Sequence, residues 1–287
     1  MSDLAAFRRF YAEEVRAVSD VRSEAVVRAF ATVEREHYLG PGPWQILAPA
    51  EPGRGRYRTT EDDDPRHLYH NVLVAIDAAR WLNNGQPASL ALWIDALDLR
   101  EGERVVHVGC GLGYYSAIIA EVVGAAGHVT ALEIDGDLAA RARGNLAHLP
   151  HVEVREADGA SCDLGPADAI FVNAGAAHVS PVWLDALRVD GRLLVPLTVA
   201  RDAAGHGSGG MLNVTRRRDG WPARFVSEVS IFPCIGARDV ALNERLKEAF
   251  QTRTWHAVAS LRRDRHDPTE TCWLHGDDVC LSTAPGE

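Results

Sequence analysis

Val105 to Tyr115 reads VVHVGCGLGYY, an apolar run broken by Gly109, Gly111 and Gly113 just before a helical stretch begins. Glycines at a strand-to-helix turn let the backbone bend sharply and approach a ligand, while the free N–H groups of the helix face it. The spacing is G-x-G-x-G, not the G-x-G-x-x-G of dinucleotide sites, which argues against a nicotinamide oxidoreductase. Glu133 closes the next apolar run, 20 residues past Gly113. A carboxylate there can accept both hydroxyls of a ribose, although a surface acid after a strand has the same look. Asp158 follows the third run, in Glu156-Ala157-Asp158-Gly159, where it could accept an adenine amino group. The fourth run ends at Asn173, with His178 shortly beyond. Four successive strand ends then point at one crevice, at the carboxyl edge where open α/β sheets bind ligands.

The elements that must position these groups are readable from periodicity. Apolar runs at Arg104–Val108, His128–Ile134, Val152–Ala157, Asp168–Asn173 and Arg192–Leu197 alternate with helix-length segments around Ser116–Val123, Asp137–Leu149 and Pro181–Leu187. Strands buried on both faces and spaced by helices predict an α/β, doubly wound, mostly parallel sheet. Met211–Thr215 and Phe225–Phe232 flank Asp219-Gly220 and read as an antiparallel closing hairpin. Upstream, Leu4, Phe7, Tyr11, Val15 and Val18 recur at helical spacing, as do Val26, Val27, Phe30 and Val33. Leu90, Trp93, Ile94 and Leu97 predict a further helix that Pro87 can begin. Gly40–Arg66 turns to Pro, Gly and charge with no strong period, a long irregular connection that suits a lid. Its Asp62-Asp63-Asp64 run lacks a ligand partner at suggestive spacing and reads as a solvated face. Beyond Gly236, a helix near Val240–Phe250 precedes Ala257–Leu261 and Asp278–Leu281, an αβ appendage. Three regions are expected: N-terminal helices and cap at 1–83, a ligand-binding core at 84–236 and the appendage at 237–287.

Composition narrows the function. The chain has 287 residues, enough for a large core without disulfide support. A formal charge of −10 leaves no global positive field for phosphates, so nucleic acid is not an expected partner. The basic runs Arg216-Arg217-Arg218 and Arg262-Arg263-Asp264-Arg265 sit among acids or beside a turn and read as solvated surface. Five cysteines with no C-x-x-C pair suggest neither a disulfide framework nor a zinc signature, so no metal is expected. The opening segment carries Asp3, Arg8 and Arg9, and no 18-residue apolar run follows, so neither a secretory signal nor a membrane partner is expected. Cytoplasmic residence is the default expectation, and oligomeric state is left open.

Taken together, the motifs resemble S-adenosylmethionine-dependent methyltransferases, and among them the protein-L-isoaspartate O-methyltransferase family. The family's G-Q-T-I-S segment is echoed by Gly85-Gln86-Pro87-Ala88-Ser89, and its G-x-G-x-G-Y turn by Gly109 to Tyr114. The acid after strand two is matched by Glu133 and the Asp-Gly after strand three by Asp158-Gly159. Its G-G-R-L-x-x-P strand is matched by Asp190 to Pro196, and its closing strands by the hairpin and Phe225 to Gly236. The resemblance spans roughly Asp20 to Gly236 and implies a Rossmann-like, seven-stranded sheet. His107 replaces the family's usual acid before the first glycine, Pro87-Ala88 replaces Thr-Ile, the loop before Tyr69 is long, and everything after Gly236 is extra.

The resemblance implies S-adenosyl-L-methionine as cofactor. Gly109, Gly111 and Gly113 would lie against its methionine and ribose part, Glu133 against the ribose and Asp158 against the adenine. Gln86, His107, Cys110, Tyr114, Ile134, Gly159 and Asn173 complete the cofactor-binding set. Ser89 would sit near the transferred methyl group and the acceptor carboxylate; a hydroxyl in the first turn of a helix is its plainer role. A sulfonium methyl is already activated, so transfer needs chiefly alignment and exclusion of water. A carboxylate acceptor is ionised at pH 7, its reference pKa being about 4, and needs no general base. An amine, phenol or alcohol would want one, with His178 or His70 as candidates. Carboxyl O-methylation of a peptide or protein, of isoaspartyl type or on a modified peptide, is the leading expectation. The alternatives are a natural-product methyltransferase acting on a hydroxyl, amine or carboxylate of a small molecule, and a non-catalytic cofactor-binding module.

Overall fold

The computed structural model describes residues 3–49, 55–201 and 206–286. The chain opens with α1 (Leu4–Ser19) and α2 (Glu24–Thr32), started by Asp3 accepting from the Ala6 amide and Ser23 accepting from the Val26 amide. Both helices bury part of the stripes expected of them, Tyr11 and Val15 in the first, Val26, Val27 and Phe30 in the second, while Phe7 and Val18 stay exposed. After α3 (Arg35–Leu39), the region expected to be irregular holds an antiparallel ribbon. Its strands are β1 (Gln45–Pro49) and β2 (Gly55–Thr59), in register from Gln45 opposite Thr59. Its apolar residues are too few and too short in run to stand out from the Pro, Gly and charge around them; residues 50–54 of the expected lid lie outside the described residues. A small pair, β3 (Ala75–Asp77) and β4 (Leu82–Asn83), leads into α4 (Pro87–Ala96), with Pro87 in its first turn as predicted.

The alternating series follows: β5 (Arg104–Val108), α5 (Tyr114–Val123), β6 (His128–Glu133), α6 (Gly136–Leu146), β7 (Val152–Glu156) and β8 (Ala167–Val172). Then come α7 (Pro181–Ala186), β9 (Leu187–Ala200), β10 (Gly207–Thr215) and β11 (Ala223–Ile231). Together they form the expected seven-stranded sheet, in the order β11-β10-β9-β8-β5-β6-β7. β5 pairs parallel with β8, and β8 with β9, while β10 runs antiparallel to both β9 and β11. β9 is far longer than the apolar run Arg192–Leu197, because pairing with β10 carries it through to Ala200 opposite Gly207, and pairing with β8 begins it at Leu187 opposite Ala167. The chain moves outward from β5 to β7 and resumes on the other side with β8, which makes the carboxyl ends of β5 and β8 a topological switch point.

Contacts divide the chain into two compact units, one of residues 1–102, 110–129 and 135–154, the other of residues 103–109, 130–134 and 155–287. In the first, Tyr11, Phe30, Tyr69, Tyr114 and Tyr115 form an aromatic cluster with ring centroids 5.0–6.4 Å apart. Arg35, without exposed surface, lies against it and donates to the carbonyls of Leu68, His70 and Val72 and to the Asn84 side chain. In the second, Ile170, Val172, Leu193, Val195 and Leu212 build the core of the sheet.

The C-terminal region is α8 (Val240–Gln251) and a three-stranded antiparallel sheet of β12 (Ser260–Arg262), β14 (Cys280–Ser282) and β13 (Cys272–Leu274), in that order. The predicted αβ appendage shares the second unit's core through Leu246, Leu261, Trp273 and Leu281. Phe225 of β11 meets Trp255 and Trp273 edge-on at 5.3 and 5.4 Å. The Ala223 amide donates to the Ala259 carbonyl and the Leu261 amide to the Trp221 carbonyl, fastening the closing hairpin to this region. β13 has no counterpart among the predicted runs, since Cys272-Trp273-Leu274 is three residues between polar stretches. No helix among the described residues is long and apolar enough to cross a membrane.

Candidate active site

The second unit contains the four strand ends, and backbone hydrogen bonds set them side by side. The Gly109 amide donates to the Leu132 carbonyl at 2.8 Å, joining the ends of β5 and β6. The Ala157 amide donates to Glu133 at 3.0 Å, joining β6 and β7, and the Asn173 amide donates to Val108 at 2.8 Å, joining β8 and β5. Gly109 has φ +77°, and a Cβ there would lie 3.3 Å from the Asn173 carbonyl oxygen, so a side chain meets both strain and crowding. Glu133 is 7% exposed, and its Oε1 accepts from the Ile134 amide at 3.0 Å. Ile134 beside it is 43% exposed, an apolar face next to a carboxylate, as a nucleoside would need.

Asp158 is half-buried and shaped by its own loop: Oδ1 accepts from the Ala160 amide at 2.9 Å and Oδ2 from the Ser161 hydroxyl at 3.0 Å. Gly236 sits directly on this carboxylate, since a Cβ at 236 would come within 2.0 Å of Oδ2. Gly236 therefore belongs to the site's architecture, which no local motif signals 78 residues away. Gly159 is buried, and a Cβ on it would lie 2.5 Å from Val108 Cγ1; its carbonyl accepts from the Trp183 indole at 2.7 Å. The lack of a side chain at 159 serves this packing. His107, also expected in the cofactor-binding set, lies in the core. It is fully buried, with its ring stacked on Phe171 at 5.1 Å and 12°, and so has no surface to offer a cofactor.

The first unit holds the rest of the expected set. Gly111 and Gly113 have φ +55° and +90°, and a Cβ on Gly113 would strike Leu146 at 2.7 Å. Cys110 is 5% exposed with its thiol turned to the Gly111 carbonyl, which leaves only its backbone for a ligand. Tyr114 is 2% exposed and packs on Tyr115, Tyr38 and Phe30, so its ring belongs to the core. Gln86 is the N-cap residue of α4, and its side-chain Nε2 donates to the Asn71 carbonyl at 3.1 Å. The Asn71 side chain in turn accepts from the Ala88 amide at 3.0 Å. Asn71, unnoticed in the sequence, thus fixes the start of the helix that carries Ser89. Ser89 is half-buried, and no described residue takes a hydrogen bond from its hydroxyl.

Two histidines differ in chemistry. His178 is half-buried, and burial pulls its pKa below the usual histidine value against the opposing pull of Asp239, so the ring is neutral at pH 7. Its Nδ1 is buried and has no partner among the described residues. His70 is exposed, and its carbonyl accepts from Arg35. Nearby in sequence, Arg238 donates to the Thr198 hydroxyl at 3.0 Å and to its carbonyl, tying down the segment after β11.

Burial depresses the pKa of His107 to about 3. Its unfolded value is about 6.5, so from there down toward pH 3 the unfolded chain binds one more proton than the folded one. Stability from this residue is full above pH 6.5 and is lost as pH falls below it. Wild type measured against His107→Gln by urea unfolding should lose about 2 kcal/mol more between pH 7.5 and pH 5. A difference that stays flat over that range would mean that the ring is protonated in the folded protein.

With this geometry in place, comparison with known proteins is decisive. The model of the protein-L-isoaspartate(D-aspartate) O-methyltransferase (PCMT) family matches residues 54–208. The protein-L-isoaspartate O-methyltransferase 1 of Rhodopseudomonas palustris is 33% identical over 199 residues, covering 68% of this chain and 70% of its own length. The chain belongs to this family. A second relative, protein-L-isoaspartate O-methyltransferase 1 of Archaeoglobus fulgidus, is 34% identical over 145 residues, 46% of this chain and 67% of that protein. A solved protein-L-isoaspartate O-methyltransferase shares the fold with TM-score 0.58 at 16% identity, covering 98% of this chain and 88% of that one. Residues 209–287 lie outside the matched region.

Proposed function

We propose that this chain transfers the methyl group of S-adenosyl-L-methionine to the side-chain carboxylate of isoaspartyl residues in peptides or proteins. The observation that carries the reading is the row of neighbouring strand ends, Gly109, Glu133, Asp158 and Asn173, in a chain of the PCMT family. The residues present suit the cofactor. Glu133 offers acceptors for ribose hydroxyls, Asp158 an acceptor for the adenine amine, Ile134 an apolar face, and Gly109 a backbone that no side chain obstructs. When bound, the cofactor supplies an already activated methyl group.

The chain's own residues then align and shield. An acceptor carboxylate is ionised at neutral pH and needs no base. His178, neutral at pH 7, would stand as a hydrogen-bonding wall. Ser89, with its hydroxyl free, would orient the acceptor. We also read residues 1–83 as cap, 84–236 as catalytic core and 237–287 as an addition to it. The free state of all five cysteines supports a cytoplasmic home.

The test is transfer of labelled methyl from S-adenosyl-L-methionine to an isoaspartyl peptide, with the normal aspartyl peptide as control. Selective, base-labile label on the isoaspartyl peptide is expected; equal or absent labelling of the two, with cofactor binding verified, would move the acceptor elsewhere. In the same assay Ser89→Ala should lower turnover by roughly tenfold, as for a lost hydrogen bond made in the transition state, and leave cofactor Kd unchanged. Unaltered turnover would remove Ser89 from the acceptor side.

A further inference from the structure

Four side chains at the C-terminal sheet remain outside everything above. His266 lies on the connection between β12 and β13, Cys272 begins β13, His275 follows β13, and Cys280 begins β14. Each presents one ligand atom, and these four atoms all lie within 4.8 Å of one another. We propose that His266, Cys272, His275 and Cys280 form a tetrahedral structural zinc site that staples this three-stranded sheet.

The distances suit the ion. Zinc bonds of about 2.3 Å to sulfur and about 2.0 Å to nitrogen set ligand-to-ligand edges of roughly 3.3–3.8 Å in a tetrahedron. Cys272 Sγ and His266 Nε2 are 3.5 Å apart, one such edge already formed. The two imidazoles meet nearly perpendicular, at 79° with centroids 4.9 Å apart, as rings converging on one point do. Two thiolates and two neutral imidazoles balance a divalent cation without residual charge. Four protein ligands leave no open position, which makes the site structural and not catalytic.

The surroundings are those of ligands held in readiness. His266 Nδ1 lies 2.8 Å from the Asp264 carbonyl, which places the proton on Nδ1 and frees the Nε2 lone pair toward Cys272. The Thr269 amide donates to Cys272 Sγ at 3.3 Å, and its hydroxyl lies at the same distance, contacts that favour a thiolate. His275 Nδ1 is buried without a partner among the described residues, a costly state that a bound metal would relieve. The segment from Arg263 to Thr271 has no large apolar side chain with which to order itself, yet its one half-buried member before Glu270 is His266. Cys272 and Cys280 are both free, and pairing them would leave the two histidines without purpose. The sequence conceals the set because H-x5-C-x2-H-x4-C is gathered by strand pairing, with Arg262 opposite Cys280 and Cys272 opposite Ser282. The expectation of no metal, drawn from the absence of C-x-x-C, did not weigh this spacing.

The full chain, produced in zinc-supplemented medium and purified without chelator, should carry about one zinc per molecule by elemental analysis. Exchange with cobalt should give the intense visible bands and the near-ultraviolet thiolate charge-transfer band of a tetrahedral S2N2 site. Cys272→Ser and His275→Ala should each fall below about 0.2 equivalents of zinc, while Cys162→Ser, outside the cluster, keeps its metal. A metal-free wild type, a Cys272–Cys280 disulfide in the mass spectrum, an octahedral cobalt spectrum, or full metal retention in both ligand variants would each overturn the proposal. Should a ligand variant fail to fold, the wild-type stoichiometry and cobalt spectrum decide by themselves.

Discussion

Arg35→Leu is expected to cost about 4 kcal/mol of stability, read as a lowered urea midpoint with an unchanged slope. The guanidinium has no exposed surface and reaches four acceptors: the Leu68, His70 and Val72 carbonyls at 2.6, 3.1 and 2.8 Å, and Asn84 Oδ1 at 3.1 Å. The Tyr11 and Tyr114 rings lie under it at 5.8 and 5.9 Å. Leucine matches the stem but leaves those acceptors facing a hydrocarbon, at about 1 kcal/mol or more for each. Arg35→Lys keeps the charge but replaces a planar fork with one rotating ammonium, and should recover about half of the loss. The segment tied down runs from Leu68 to Asn84, immediately before Gln86 and Ser89, so the leucine variant should also lose activity at temperatures where it is still folded. A cost under about 1 kcal/mol would show that water replaces the guanidinium, and that the fork does not order this segment.

The second large effect is on the cofactor. Glu133→Ala should raise the Kd for S-adenosyl-L-methionine by roughly 100-fold in calorimetric titration, the value of two charge-assisted hydrogen bonds at about 1.5 kcal/mol each. Glu133→Gln retains one neutral acceptor and should fall between alanine and wild type. Because Oε1 also accepts from the Ile134 amide, melting of each unliganded variant must accompany the titration. A change in stability without a change in Kd would reduce Glu133 to a cap on its own loop and move the ribose elsewhere.

What could be read in the sequence was whatever is local. The glycine turn, the acids at strand ends and the apolar runs are contiguous, and the sheet that they predict is the one that forms. Burial direction was not local. His107 and Tyr114 stand inside a ligand motif by position, yet their side chains point into packed interior, one onto Phe171 and the other onto Tyr115 and Phe30. Arg35 looks like a surface charge in the string Glu34-Arg35-Glu36 because its partners are carbonyls and rings far along the chain. The β1–β2 ribbon and β13 are short and bounded by polar residues, so they gain their stability from partners and carry little pattern of their own.

The contact between Gly236 and Asp158 has a consequence for how such a chain can change over generations. With a gap that admits hydrogen but no methyl group, the joint where the C-terminal region begins is pinned to Asp158. Beyond that point the chain is held again, by Leu246, Leu261, Trp273 and Leu281 in the core that it shares with the sheet. A larger residue at 236 must therefore be accepted on both sides at once, by the loop that carries Asp158 and by the packed region that begins there.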